Sequence, residues 1–254
     1  MSIREQINIY KDSIVGTRDY QEDSADYVIK DGRCLAVLCD GMGGLNGGEV
    51  ASGFAVKEIT DRYGGTEKIE DCPEFLYKCA VDIDRAVYDL KDEKGERLHA
   101  GTTMVAAIID GDELYWLSVG DSRIYLIRGD EVTVANEEHN YETRLNRMLK
   151  SGQITPENYQ QEMKRGAALT SYIGIGNVYM MDINDSPYML QDGDIIVLSS
   201  DGMFRRIDNE LLLEIIKANK NNLQKAAEEL TATALKKASG SQDNTTVEII
   251  SFKK

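Results

Sequence analysis

The sequence predicts an α+β fold: a central β-sandwich of two mainly antiparallel sheets, with helices covering the outer faces. Three observations lead there. Residues 103–135 are a run of apolar or alternating segments broken by tight links, Asp110-Gly111-Asp112 and Arg128-Gly129-Asp130. Such links mark hairpins, and so antiparallel pairing. Stretches with apolar residues three and four apart lie on both sides of that centre, and an amphipathic helix must bury its apolar face against a sheet or another helix. Finally, only three prolines occur in 254 residues, with no linker, low-complexity tract or repeat, so residues 1–254 read as one domain.

The elements follow in order. Leu35-Ala36-Val37-Leu38-Cys39 is continuously apolar, as expected of a strand buried on both faces. Asn46 to Tyr63 reads as a helix with Val50, Ala51, Phe54, Ala55 and Ile59 on one side. Pro73 to Lys91 is a clearer one, with Leu76, Cys79, Ala80, Ile83, Val87 and Leu90 at helical spacing and a proline suited to the first turn. Thr103–Ile109, Glu113–Val119, Arg123–Arg128 and Glu131–Ala135 read as a meander of four strands. The polar helices Glu142–Ser151 and Thr155–Lys164, joined through Gly152, form an excursion from the sheets. Strands return near Val178–Asn184 and Asp194–Ser200. Helices at Asn209–Ala218 and Leu223–Lys237 precede a last strand, Thr245–Phe252.

Composition narrows the function. With 42% hydrophobic and 29% charged residues, the chain has a globular rather than disordered balance. No stretch of about 18 apolar residues suggests a membrane span, and MSIREQINIY lacks a signal-peptide core, so the expected compartment is the cytoplasm. Cys34, Cys39, Cys72 and Cys79 form no CxxC pair and read as buried thiols. His99 and His139 are the only histidines, which excludes a zinc site built on several imidazoles. The net charge of −15 disfavours nucleic acid and anionic membrane as partners.

The acids are placed at strand edges. LAVLC runs into Asp40-Gly41-Met42-Gly43-Gly44, IIVLSS into Asp201-Gly202-Met203, and LYWLSV into Gly120-Asp121-Ser122. Asp243-Asn244 opens the final strand, and Asp23 lies beside a first sheet region. A single Asp-Gly is most simply a turn. Several such edges can converge on one cleft, where carboxylates repel unless a cation lies between them. With few histidines, the fitting cation is a hard one with oxygen ligands, Mg2+ or Mn2+. Gly41, lacking a side chain, leaves its own carbonyl able to join the ligands. Two ions about 3.5–4 Å apart bridge a water, lower its pKa and clamp a phosphoryl group. Arg18 is a candidate for bidentate binding of that phosphate, or else a solvated surface arginine.

These residues resemble the PPM-type, or type 2C, serine/threonine protein phosphatases, in family order along almost the whole chain. The motifs are Gly16-Thr17-Arg18-Asp19-Tyr20-Gln21-Glu22-Asp23-Ser24, Asp40–Gly44, Gly101-Thr102-Thr103, Val119-Gly120-Asp121-Ser122-Arg123, Ser199-Ser200-Asp201-Gly202 and Gln242-Asp243-Asn244. The resemblance implies a four-layer αββα sandwich and a phosphatase acting on phosphoserine and phosphothreonine by direct attack of a metal-bridging water or hydroxide. It implies phosphate binding by Arg18 and metal ligation by Asp23, Asp40, Gly41, Asp121, Asp201 and Asp243. Asp40 bridges two core Mn2+ or Mg2+ ions and orients the water, and Asp121 helps hold a third. It further implies a flap at about 141–165, phosphorylated proteins as substrates and a serine/threonine kinase as functional partner; a monomer is expected. The chain departs from the family in three places: Met42 stands where many relatives carry histidine, Thr170-Ser171 where Thr-Arg is common, and Met203-Phe204-Arg205-Arg206 lacks a further Asp or Thr. His139 reads as a residue that fixes a loop by hydrogen bonding. Two other classes compete with an active phosphatase: a phosphoprotein-binding module without turnover, and a metal-dependent nuclease, which the acidic charge disfavours.

Overall fold

The structure, a computed structural model, describes residues 7–43 and 47–254. Gly44, which ends the Asp40 motif, and Asn46, the expected start of the first long helix, lie outside the described residues.

Two antiparallel sheets stack. The first has the order β1 (Ile7–Ile14), β12 (Thr245–Phe252), β11 (Ile195–Ser199), β7 (Arg123–Arg128), β8 (Glu131–Val134). The second runs β10 (Tyr188–Met189), β6 (Glu113–Val119), β5 (Met104–Asp110), β3 (Arg33–Met42), β2 (Asp23–Lys30); β4 (Gly101–Thr102) pairs with β3, and β9 (Asp182–Ile183) with β6. The apolar run of β3 has its predicted cause, because both of its faces are covered. Leu35, Val37 and Cys39 pack with helices α1 (Gly47–Gly65) and α2 (Cys72–Tyr88). Cys34, Ala36 and Leu38 meet Ile196, Leu198, Ile250 and Phe252 of the other sheet. On the far side, Val247 and Ile249 pack under α6 (Asn209–Ala218) and α7 (Leu223–Lys237). The result is the predicted four-layer order of helices, sheet, sheet, helices. All four cysteines are buried and free.

Local chemistry sets the helix starts. Asp71 accepts a hydrogen bond from Glu74 N at 2.9 Å to cap α2, with Pro73 in its first turn. Asn140 caps α3 (Tyr141–Lys150) by accepting from Thr143 N, and Thr155 caps α4 (Pro156–Glu162) by accepting from Asn158 N. These two helices pack on each other and on the 163–165 turn. Among the described residues no helix is long and apolar enough to cross a membrane.

Several expectations change. The four-strand meander is divided: β5 and β6 pair in one sheet, β7 and β8 in the other, and Gly120-Asp121-Ser122 carries the chain across. Glycine is required there, since φ at Gly120 is +101° and an added Cβ would lie 2.6 Å from Thr103 Cγ2. The strand expected at Val178–Asn184 shrinks to β9, and at its start Val178 N bonds to Asp84 rather than to a neighbouring strand. β1, β2 and β10 carry mixed polar and apolar residues and were not delimited from sequence. Val50 faces solvent rather than the core.

Candidate metal centre

The sandwich brings five predicted acids to one end. Asp23 opens β2 and Asp40 lies near the end of β3, and they are direct partners in that ladder. Asp121 follows β6, Asp201 follows β11, and Asp243 lies two residues before β12. Antiparallel order places these starts and ends together. The two Asp-Gly-Met segments are not the same turn, however. Asp40-Gly41-Met42 continues as strand, while Asp201-Gly202-Met203 begins the short helix α5 (Asp201–Phe204).

Threonines hold Asp40 by its backbone. Its N–H donates to Thr103 Oγ1 at 2.9 Å. Its carbonyl accepts from Thr103 N at 2.8 Å and from Thr102 Oγ1 at 2.9 Å. The side chain is thereby left for other work. Gly41 N donates to Glu22 O at 3.0 Å. A Cβ at Gly41 would lie 2.2 Å from Gly48 O and 2.5 Å from Glu22 O, so no side chain fits.

Electrostatically the site is short of positive charge. Burial raises the Asp40 carboxyl well above the usual carboxylate range, and the charges of Asp23, Asp201, Asp121 and Asp243 add to the effect. Burial likewise raises Asp23, with Asp201 and Asp243 contributing, although a hydrogen bond from Ser200 Oγ at 2.8 Å favours its anion. Burial and then Asp201 push Asp121 up to about 7. The Oδ1 atom of Asp23 is buried with no hydrogen-bond partner.

Two arginines partly compensate. Arg18 reaches Asp243 Oδ2 at 2.6 Å. Arg205 Nε lies 2.7 Å from Asp201 Oδ2, and its Nη2 is 3.9 Å from Asp121. Among the described residues, no three His, Cys, Asp or Glu side chains stand in an arrangement that could already hold a metal ion. The donor set nonetheless fits hard divalent cations. Its side-chain donors are all oxygen, Asp23 Oδ1 lacks a partner, and anions outnumber cations.

The Arg18 loop is fastened to the last motif. Thr17 N donates to Gln242 O at 2.9 Å, and Gln242 N to Thr17 Oγ1 at 2.9 Å. Asn244 Nδ2 donates to Val15 O and Tyr20 O, both at 2.9 Å, while its Oδ1 accepts from Glu22 N at 2.8 Å. Asn244 therefore positions Arg18 and Asp23 at once. In the sequence Asn244 stands out only as the neighbour of Asp243, and Arg205 only as part of a departure from the family pattern. The signal for Arg205 is its spacing, four residues after Asp201, where it caps the C-terminal end of α5. His139 fixes a loop as expected: its N–H donates to Gly120 O at 2.7 Å, and its Nδ1 accepts from Gly120 N at 3.2 Å.

The family model described as "Protein phosphatase 2C" matches residues 15–239. The chain belongs to the protein phosphatase 2C family. It is 29% identical over 228 residues to the protein phosphatase PhpP of Streptococcus pneumoniae, covering 89% of each chain. It is 27% identical over 237 residues to the serine/threonine phosphatase stp of Listeria innocua, covering 92% of this chain and 90% of that one. Its fold matches the serine/threonine phosphatase of S. agalactiae with TM-score 0.84 at 25% identity, covering 98% of this chain and 100% of that one. It also matches the catalytic domain of the phosphatase PstP in complex with two manganese ions, with TM-score 0.77 at 24% identity, covering 98% and 99%. Each PP2C motif quoted from the sequence falls within the matched span or just after it.

Proposed function

We propose that this PP2C-family chain is a metal-dependent phosphatase of phosphoserine and phosphothreonine in proteins, using two core Mn2+ or Mg2+ ions and a third. The observation that carries this reading is the convergence of Asp23, Asp40, Asp121, Asp201 and Asp243, with too little positive charge of the protein's own to balance them. The two manganese ions named for PstP support the choice of metal.

In this reading Asp40, Asp23, Asp201, Asp243 and the Gly41 carbonyl would hold the core ions, Asp40 would orient the water, and Asp121 would serve the third. Bound divalent ions supply the Lewis acidity that makes a water nucleophilic at neutral pH and screens phosphate charge. The protein's part is rigidity. Thr102 and Thr103 fix the Asp40 backbone, and Ser200 orients Asp23. Arg18 binds the phosphate. It spends one amino nitrogen on Asp243, and its other donors have no partner among the described residues. Residues 141–165 are taken as the flap beside the site, within one domain spanning the chain. Phosphoproteins, including a serine/threonine kinase, are the proposed substrates, met by a cytoplasmic monomer.

Purified protein with manganese is expected to hydrolyse p-nitrophenyl phosphate and a phosphothreonine peptide. Asp40→Ala and Asp201→Ala should each abolish both activities. Wild-type rates in those variants, or in excess chelator, would refute the assignment.

A further inference from the structure

Beside the carboxylate cluster lies a cleft of about 630 Å3, bounded by Met42, Gly43, Arg97, His99, Leu169 and Tyr172. Its position follows from the β3–β4 ladder, where Gly41 pairs with Thr102 and Met42 with Gly101. Met42 and Gly101 both line the cleft. The opening therefore starts two residues past Asp40, about 7 Å along the strand at roughly 3.3 Å per residue. Ala167 lines this cleft and also a smaller one containing Asp121 and Arg205. The two flank the same part of the chain and differ in charge. The smaller cleft contains Asp121, Glu138 and Glu142. Among the described residues the larger has no carboxylate in its lining, on a protein of net charge −15.

The basic group in it is preorganised. Arg97 stacks on the Tyr88 ring, 3.3 Å from its centroid, and its Nε donates to Tyr88 O at 2.9 Å. Its two terminal amino groups have no hydrogen bond or ion pair among the described residues. The loop is also anchored: Leu98 N donates to Leu90 O at 2.8 Å, and Leu98 packs on the core beneath α2. His99 follows in the left-handed region at φ 50°, a conformation that costs a non-glycine residue free energy and turns up at functional sites. Holding a guanidinium flat and rigid with its donors unspent favours recognition of a carboxylate.

We propose that this cleft receives the polypeptide beside the phosphorylated residue, and that Arg97, with His99, selects substrates carrying an acidic side chain there. The proposal rests on the phosphatase reading of the adjoining site and adds a substrate class to it. Arg97 is a specificity-determining residue in this account.

The test is kcat/KM on phosphothreonine peptides of one length, with aspartate, alanine or lysine placed in turn at each of the three positions on either side. For the wild type, aspartate should exceed alanine by about two- to five-fold in at least one position, the scale of a partly exposed ion pair, and lysine should fall below alanine. Arg97→Gln should bring the aspartate-to-alanine ratio close to one, and Arg97→Lys should retain part of it. The ratio is taken within each variant, so loss of folded enzyme lowers both rates and cancels. A wild type with no acidic preference at any position, or an Arg97→Gln variant that keeps the full preference, would overturn the proposal. A wild type that hydrolyses neither the peptides nor p-nitrophenyl phosphate would overturn the underlying reading as well.

Discussion

Arg205 Nε lies 2.7 Å from Asp201 Oδ2, and both side chains belong to the turn that follows β11. The guanidinium also approaches Asp121, at 3.9 Å from Nη2. It therefore stands where a cation is most needed and competes with any ion that binds there. Because Arg205 is about half exposed, its hold on the acids is modest. Arg205→Ala is expected to tighten manganese binding by about two- to five-fold, as read by titration calorimetry. Unchanged or weaker binding would show that Arg205 orients the acids rather than competing.

Asp84 on α2 gathers three backbone donors: Gly174 N at 2.7 Å, Gly176 N at 3.1 Å and Val178 N at 3.0 Å. It is 2% exposed. The loop it holds reaches Ile173, whose N–H donates to Thr102 O at 2.9 Å, and Thr102 supports Asp40. Asp84→Ala leaves three donors without their acceptor and should cost on the order of 3 kcal/mol in denaturant unfolding. Asp84→Asn keeps one acceptor oxygen and should cost less. A loss under about 1 kcal/mol for Asp84→Ala would mean the loop holds itself.

Glu248 lies in the middle of β12, 0% exposed, and neither carboxyl oxygen has a hydrogen-bond partner. Lys11, its partner in the β1–β12 ladder, sends its ammonium instead to Ala25 O at 2.8 Å and Asp26 at 3.2 Å. Burial raises the Glu248 carboxyl well above its ordinary value of 4.5. In the unfolded chain it ionises near that value, whereas in the folded chain it keeps its proton. Above pH 4.5 the native state thus binds the extra proton, and stability falls as pH rises toward the folded pKa. Glu248→Met removes both this slope and an unpartnered polar group. Its thermal midpoint should exceed that of the wild type, by a margin that widens from pH 5 to pH 8. A constant margin, or a less stable variant, would contradict this.

Gly41 has a backbone neighbour on each side of the space a Cβ would occupy. Gly41→Ala should separate β3 from the start of α1 and lower activity at least tenfold at fixed manganese, since roughly 1.4 kcal/mol of misplacement suffices for that. Wild-type activity would mean that Gly48 yields without cost.

Legibility from sequence followed the strength of local signals. β3, α2, β6, α6, α7 and β12 are readable because their apolar period or continuity is strong, and Pro73 marks the first turn of α2. β1 and β2 were not delimited, because half-exposed sheet strands such as Asn8–Ser13 carry polar residues on the open face. The crossing at Gly120 falls inside the expected four-strand meander because the turn chemistry is the same whether a chain stays in its sheet or leaves it. The acids themselves were legible as strand-end carboxylates. Their supports were not: Thr103, Ser200 and Asn244 act through contacts 63, 177 and 222 residues apart in sequence, and nothing local announces such pairs.

The convergence of carboxylates from β2, β3, α5 and the lead into β12 is tested most directly by manganese titration calorimetry of the wild type, Asp40→Asn and Asp243→Asn. The wild type should bind at least two ions per chain, Asp40→Asn should lose both core ions, and Asp243→Asn should bind more weakly than wild type. Wild-type stoichiometry and affinity in Asp40→Asn would contradict the account.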